Sequence, residues 1–250
     1  MKKYLVFLLF LFQITQLTAQ TSRFKDGETL YVWAQSGLNM REKSDAKASK
    51  VAAIPYGAKV FVSTNIGVKI PFEVEEFKGF TVKGYWLLVK YGNTEGYVFD
   101  GFLSRLPAPK YEKGGIEDYF KAHFKKIGER YDCSTYNDNE GKGKTEKTCN
   151  DATQVYCGYS QKYESKIIYI LNSCNEADAR SENIDIQNIT LFEGLVLVKT
   201  FYLLDDTSFK INTTKIKIDI QSTIKDGGYG CDYSIEKVAN KIIIKGFCSC

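Results

Sequence analysis

Apolar and polar residues alternate along most of this chain in short runs, and turn-forming residues punctuate them at close intervals. A period of two marks strands that turn one face to a core. In the first half such runs cover residues 30–33, 38–41, 50–54, 58–62, 85–91 and 95–99. Pro55-Tyr56-Gly57 separates the third run from the fourth, proline fixing φ and glycine permitting a positive one. Gly92-Asn93-Thr94 joins the last two as a short hairpin connection. Between residues 64 and 83, Phe72, Val74 and Phe77 carry a further β-like pattern, which predicts a small extra hairpin. Short strands at this spacing predict a small barrel over residues 28–107.

The second half reads differently at its start. Pro107-Ala108-Pro109 favours an extended connection, so residues 108–115 are expected to be a linker. Ile116, Tyr119, Phe120, Phe124 and Ile127 then recur at helical spacing, with Gly128 as a natural stop. A polar loop follows at 137–147. Beyond it, residues 166–171, 184–191, 195–204, 209–220, 233–238 and 241–247 carry β-branched or aromatic runs that predict strands. Phe209 and Ile211 lie on one parity while Ile216, Ile218 and Ile220 lie on the other, which predicts a break near Thr213-Thr214. The expected fold is mainly β: a small barrel, then an α+β domain over 116–250 with one helix on an antiparallel meander.

Several ordered elements of the first half resemble the bacterial SH3 (SH3b) domain family. The resemblance rests on Gly37-Leu38-Asn39-Met40-Arg41, a Lys-Val strand, Gly57, a Lys-Val-Phe-Val strand, a strand led by Trp86, and Gly96-Tyr97-Val98 followed by Leu103. It covers about a third of the chain. The stretch 64–83 is longer than the loop usual before the tryptophan strand of that family. What the resemblance implies is an SH3-like barrel and an extracytoplasmic recognition module, of the kind often attached to cell-wall enzymes.

Compartment follows from the two ends of the chain. Lys2 and Lys3 precede the apolar run 4–12, too short to span a bilayer, and Thr18-Ala19-Gln20 offers a processing site. Residues 1–19 are therefore expected to be a cleaved signal peptide, with the product periplasmic or secreted and without a stable membrane span. All seven cysteines, Cys133, Cys149, Cys157, Cys174, Cys231, Cys248 and Cys250, lie in the second half, where an oxidising compartment would make them a disulfide framework. Short loops close most cheaply, favouring Cys133 with Cys149 and Cys157 with Cys174, and leaving Cys231 to Cys248 or Cys250. The odd count leaves a thiol over. A formal net charge of +4 is too small to argue for nucleic acid.

Chemistry is sparse by comparison. His123 is the single histidine and sits at the edge of the predicted helix's apolar face, where a packed, half-buried ring is expected rather than a base. No cysteine stands in a recognisable nucleophile context. Glu117, Asp118, Asp205, Asp206 and Asp226 are the candidate acids, but Asp205-Asp206 occupies a turn, where aspartate serves local hydrogen bonding. Cys248-Ser249-Cys250 has the wrong spacing for zinc and lacks a second pair, so neither a metal nor a cofactor is expected. Asp138, Glu140 and Gly141 lack the alternating acids of a calcium loop. Recognition is left to aromatic rings: Trp33, Tyr56, Tyr85, Trp86, Tyr97 and Phe99, with Trp33 and Tyr56 expected to be the exposed ones. The expected role is a non-enzymatic binding protein for peptidoglycan or another envelope peptide or protein. The rivals are an envelope hydrolase whose catalytic half is 111–250, and an inhibitor or immunity-type interaction factor.

Overall fold

The computed structural model describes residues 23–64, 71–77, 80–111, 115–132, 156–174, 179–202, 209–214, 216–222 and 230–249. The expected signal peptide, the 137–147 loop, Cys133, Cys149, Cys250, Asp205, Asp206 and Asp226 lie outside them. Among the described residues two eight-stranded antiparallel sheets predominate, with two α-helices and one disulfide.

The first sheet holds β1 (Thr29–Val32), β2 (Leu38–Arg41), β3 (Lys50–Ile54), β4 (Lys59–Thr64), β5 (Pro71–Phe77), β6 (Phe80–Tyr91), β7 (Thr94–Phe99) and β8 (Leu103–Ser104). Its order is β3-β2-β7-β6-β4-β1-β8, an open path among the described residues, with β5 paired to β6. β6 is long enough to do two jobs. Its first half forms the extra hairpin with β5, from Pro71 opposite Tyr85 to Phe77 opposite Phe80, and its second half joins β4 and β7. Alternate residues point inward, so Leu30, Val32, Met40, Val60, Val62, Leu87, Val89 and Val98 fill one core.

The second sheet holds β9 (Lys126–Asp132), β10 (Tyr156–Tyr163), β11 (Ile167–Cys174), β12 (Ala179–Gln187), β13 (Phe209–Thr213), β14 (Lys217–Ser222), β15 (Gly230–Val238) and β16 (Lys241–Ser249). Its order, β13-β14-β15-β16-β12-β11-β10-β9, is two four-stranded meanders zipped together along β12 and β16. The break expected near Thr213-Thr214 is a hairpin, with the Thr214 N–H donating to the Lys217 carbonyl at 2.7 Å.

Two expectations for this half need correction. The first helix, α1 (Ile116–His123), ends four residues before Ile127. Phe124 is already extended, and the chain leaves to pair Ile127 with Lys162 in the sheet, leaving Ile127 half exposed. Strand pairing there outweighs helical spacing.

The runs at 184–191 and 195–204 are also not two strands. β12 stops at Gln187, and Leu191–Phe201 is a second helix, α2. Thr190 and Glu193 form a capping box: the Thr190 side chain accepts from the Glu193 N–H, and the Glu193 carboxylate accepts from the Thr190 N–H at 2.8 Å. Val196 and Val198 lower helix propensity by a few tenths of a kcal/mol each. Burying Leu195, Val196, Leu197 and Val198 contributes about 1.5–3 kcal/mol apiece, so packing decides. A helix apolar all round belongs inside.

α2 carries β12 across the inner face of the sheet to β13, and it meets the first sheet as well. Phe192 stacks edge-on against Phe102 at 5.1 Å between centroids. Glu193, almost wholly buried, pairs with Arg23 at 2.8 Å, and Arg23 also donates to the Leu103 carbonyl. The start of the connecting segment is packed against the core, while Lys110 and Tyr111 are exposed. Ala108 and Pro109 are buried, Trp33 Nε1 donates to the Leu106 carbonyl at 2.9 Å, and Tyr119 donates to the Pro107 carbonyl at 2.7 Å.

Gly194 sets how closely α2 sits on the second sheet, since a Cβ there would lie 2.7 Å from Ile235 Cγ2 and 3.1 Å from Ile242 Cγ2. Gly194→Ala is therefore expected to destabilise the protein by about 1–3 kcal/mol in urea unfolding, despite alanine's better helix propensity. A gain in stability would show that the helix has room to move outward.

Candidate functional site

The six rings expected to recognise a ligand do not assemble into one exposed surface. Trp33 is fully buried and Phe99 nearly so, which corrects the expectation that Trp33 is exposed. Tyr56 is half-buried, packs against the core and donates to the Pro109 carbonyl at 2.5 Å. Phe72 of the extra hairpin covers Trp86 at 5.4 Å and Phe99 at 5.3 Å between centroids. Tyr85 and Tyr97 are partly exposed. Trp33, Tyr56, Trp86 and Phe99 thus serve this half's packing.

The candidate acids of α1 are likewise engaged. Glu117 accepts from Tyr159 at 2.6 Å, Tyr163 at 3.3 Å and Lys121 at 2.9 Å, while Asp118 pairs with Lys121 at 3.1 Å. His123 is exposed rather than half-buried, its ring edge-on to Tyr119 at 5.0 Å. The disulfide is Cys231 with Cys248, which stand directly opposite each other on β15 and β16. Cys157 and Cys174 lie on neighbouring strands, one register position apart.

A site that the sequence did not announce lies where β12 runs out from the core. Ile186 and Ile184 continue its inward alternation into Glu182 and then Arg180. Glu182 is buried, and three donors reach its carboxylate. Tyr169 from β11 donates to Oε1 at 2.9 Å, Arg180 donates to the same oxygen, and Tyr202, just past α2, donates to Oε2. Tyr233 on β15 packs against Tyr202 with centroids 4.8 Å apart, and its hydroxyl lies 3.9 Å from Cys248 Sγ. Gly246 opposite makes room for that ring, since a Cβ there would meet it at 2.8 Å.

These groups line an open pocket of about 360 Å³. Arg180, Glu182, Tyr233 and Cys248 form its sheet side, Phe201 and Tyr202 come from the end of α2, and Tyr111 and Gly115 of the connecting segment complete it. A second hollow of about 250 Å³, beside His123, shares Gly115 and Phe201 with it.

Electrostatics decides what the pocket can do. Burial, reinforced by the Glu182 charge, pushes the Tyr169 and Tyr202 phenols well above their ordinary range and Tyr233 up to about 12. Burial works against the Arg180 charge, but Glu182 outweighs it and the guanidinium pKa is raised. The phenols therefore stay protonated near neutrality. They donate hydrogen bonds and are poorly matched to proton shuttling. Among the described residues no group of three or more His, Cys, Asp or Glu side chains is placed to hold a metal ion. The arrangement is suited to holding a polar ligand.

No helix among the described residues is long and apolar enough to cross a membrane. Compared with protein-family models, with curated proteins and with solved structures, the chain matches none.

The raised phenols predict the alkaline behaviour of the fold. Burial sets Tyr56 to about 12, and burial with the Glu117 hydrogen bond sets Tyr159 to about 12, alongside Tyr233. Unfolded tyrosines titrate near 10, so the folded state binds these protons more tightly. Their stabilisation is full below about pH 10 and is lost as pH rises toward 12. The urea midpoint should fall through that window, and Tyr233→Phe should flatten the fall. A midpoint flat across the window in the parent protein would refute the assignment.

Proposed function

We propose that this chain is an exported, non-catalytic binding protein that holds peptidoglycan or another envelope peptide. The observation that carries the reading is the 360 Å³ pocket around Glu182 and Arg180, in which a buried carboxylate and a half-exposed guanidinium face solvent between aromatic walls. Pockets of this size hold a small group through a few placed polar atoms. The SH3b resemblance of residues 28–107 supports an SH3-like first unit, which contributes here by docking and by fixing the connecting segment. The Cys231–Cys248 disulfide supports an oxidising compartment, and with the apolar N-terminal run it favours export to the periplasm or beyond.

Co-sedimentation with purified cell-wall sacculi tests this. The protein is expected to be retained well above an unrelated secreted protein of similar charge, and Arg180→Ala to weaken retention roughly tenfold, the value of one charged hydrogen bond. Retention no better than the control would overturn the reading.

One observation favours the hydrolase alternative. The outer face of the second sheet bears a groove of about 410 Å³ lined by Asp219 and Asp232, with Lys217, Lys245, Asn183 and Ser181. Asp219 stands opposite Ser234, which makes Asp232 its diagonal neighbour on the same face, with residue positions about 7–8 Å apart, so two acids share one groove as glycan cleavage requires. Asp219 is paired with Lys217 at 2.7 Å. Release of reducing ends from purified glycan strands, abolished by Asp232→Asn, would establish this alternative in place of the binding role. No release by the parent protein would remove it.

A further inference from the structure

We infer that the Glu182 pocket recognises an amino-acid zwitterion: a free ammonium and a free carboxylate carried on one carbon, as at the side-chain end of a diaminodicarboxylic residue. The inference rests on the binding reading above and names the group that is bound.

Charge balance within the pocket carries the argument. Arg180 and Glu182 are two residues apart on one strand, so they share a face with backbones about 7 Å from each other. They are already paired, yet unequally exposed: the Arg180 side chain is 56% accessible and that of Glu182 only 9%. The guanidinium offers five donors in a planar fork and spends few of them on Glu182, so its outer edge can take a carboxylate in two parallel hydrogen bonds. Glu182 Oε1 already accepts from Tyr169 and Arg180, which uses both of its lone pairs. Among the described residues Oε2 accepts from Tyr202 alone, which leaves a lone pair for an ammonium. The Tyr202, Tyr233 and Tyr111 rings line the same space, and an ammonium is attracted to such faces.

Complementarity then excludes the simpler ligands. A bare diamine would gain Glu182 but meet the Arg180 charge. A bare dicarboxylate would gain Arg180 but meet Glu182. A ligand bearing both charges on one carbon satisfies both residues without leaving either repelled. Phe201 supplies an apolar wall for the methylene chain that carries the group, and 360 Å³ is room for one such terminus rather than for a folded polymer.

Calorimetric titration of the purified full chain provides the test, with a 2,6-diaminodicarboxylic acid, its N-acetyl and amide derivatives blocked at one terminus and then at both, a five-carbon diamine and a five-carbon dicarboxylate as probes. The zwitterion is expected to bind, and blocking the ammonium or the carboxylate at both termini to weaken it roughly tenfold or more. Arg180→Gln should erase the penalty for amidation while keeping that for acetylation, and Glu182→Gln should do the reverse. A purely structural role for either residue would not produce that exchange. If Glu182→Gln does not fold, Arg180→Gln and Tyr111→Ala on the exposed rim keep the test decisive, the latter weakening the probes that carry an ammonium and sparing the dicarboxylate. Equal binding of diamine, dicarboxylate and zwitterion overturns the inference, as does failure to bind the zwitterion by protein that sacculi retain. Zwitterion binding without retention on sacculi supports the pocket's chemistry and overturns the envelope-polymer reading instead. Loss of both overturns both.

Discussion

One carboxylate joins the two sheets. Glu193 accepts from the Thr190 backbone and hydroxyl, which starts α2, and from Arg23, which belongs to the first sheet's side of the molecule. Taking such a group out of water is costly, and only a full set of donors offsets it. Arg23 is itself held by the Leu103 carbonyl, and its guanidinium lies 4.4 Å over the Phe24 ring, with Arg105 on the same ring at 5.0 Å. Helix start, sheet contact and N-terminal segment therefore depend on one charge being satisfied. Removing Arg23 leaves the buried Glu193 carboxylate short of its charged partner, at about 3–5 kcal/mol.

Everything at the pocket follows from that docking. With α2 fixed at its first turn, its last turn delivers Phe201 and Tyr202 over Glu182. With the connecting segment held by Trp33, Tyr56 and Tyr119, Tyr111 and Gly115 arrive on the opposite side. Among the rings that motif reasoning assigned to a ligand, Trp33 and Tyr56 hold this segment, and Trp86 and Phe99 lie under Phe72. Their polar tips are used internally: Trp33 Nε1 and the hydroxyl of Tyr56 both end on backbone carbonyls of residues 106–109.

Most strands could be read from alternation alone, and β2 and β3 have the predicted bounds, because a half-buried strand writes its two faces directly into sequence. The extra hairpin was legible for the same reason. α2 was not read, although Thr190-Leu-Phe-Glu193 is a capping signal, because its all-round apolar run looks the same for a buried strand as for a buried helix. The end of α1 was misplaced because only the partner strand reveals that Ile127 belongs to the sheet. The pocket was the least legible part. Tyr169 and Tyr202 lie 13 and 20 residues from Glu182, and neither distance is a motif. The single hint was an acid at an inward position of an alternating strand, which demands partners without naming them.

The wall that Tyr111 and Gly115 lend to the pocket ties occupancy to assembly. Anything seated there touches the segment between the sheets on one side and the second sheet on the other, so it binds only while the two are held together. By mass action such a guest adds RT ln(1 + [L]/Kd) to the free energy of that arrangement, about 2.7 kcal/mol at a hundredfold excess over Kd. Reciprocally, whatever strains the segment from the first sheet's side loosens the guest. A pull on one end of the molecule would then be felt as release at the other.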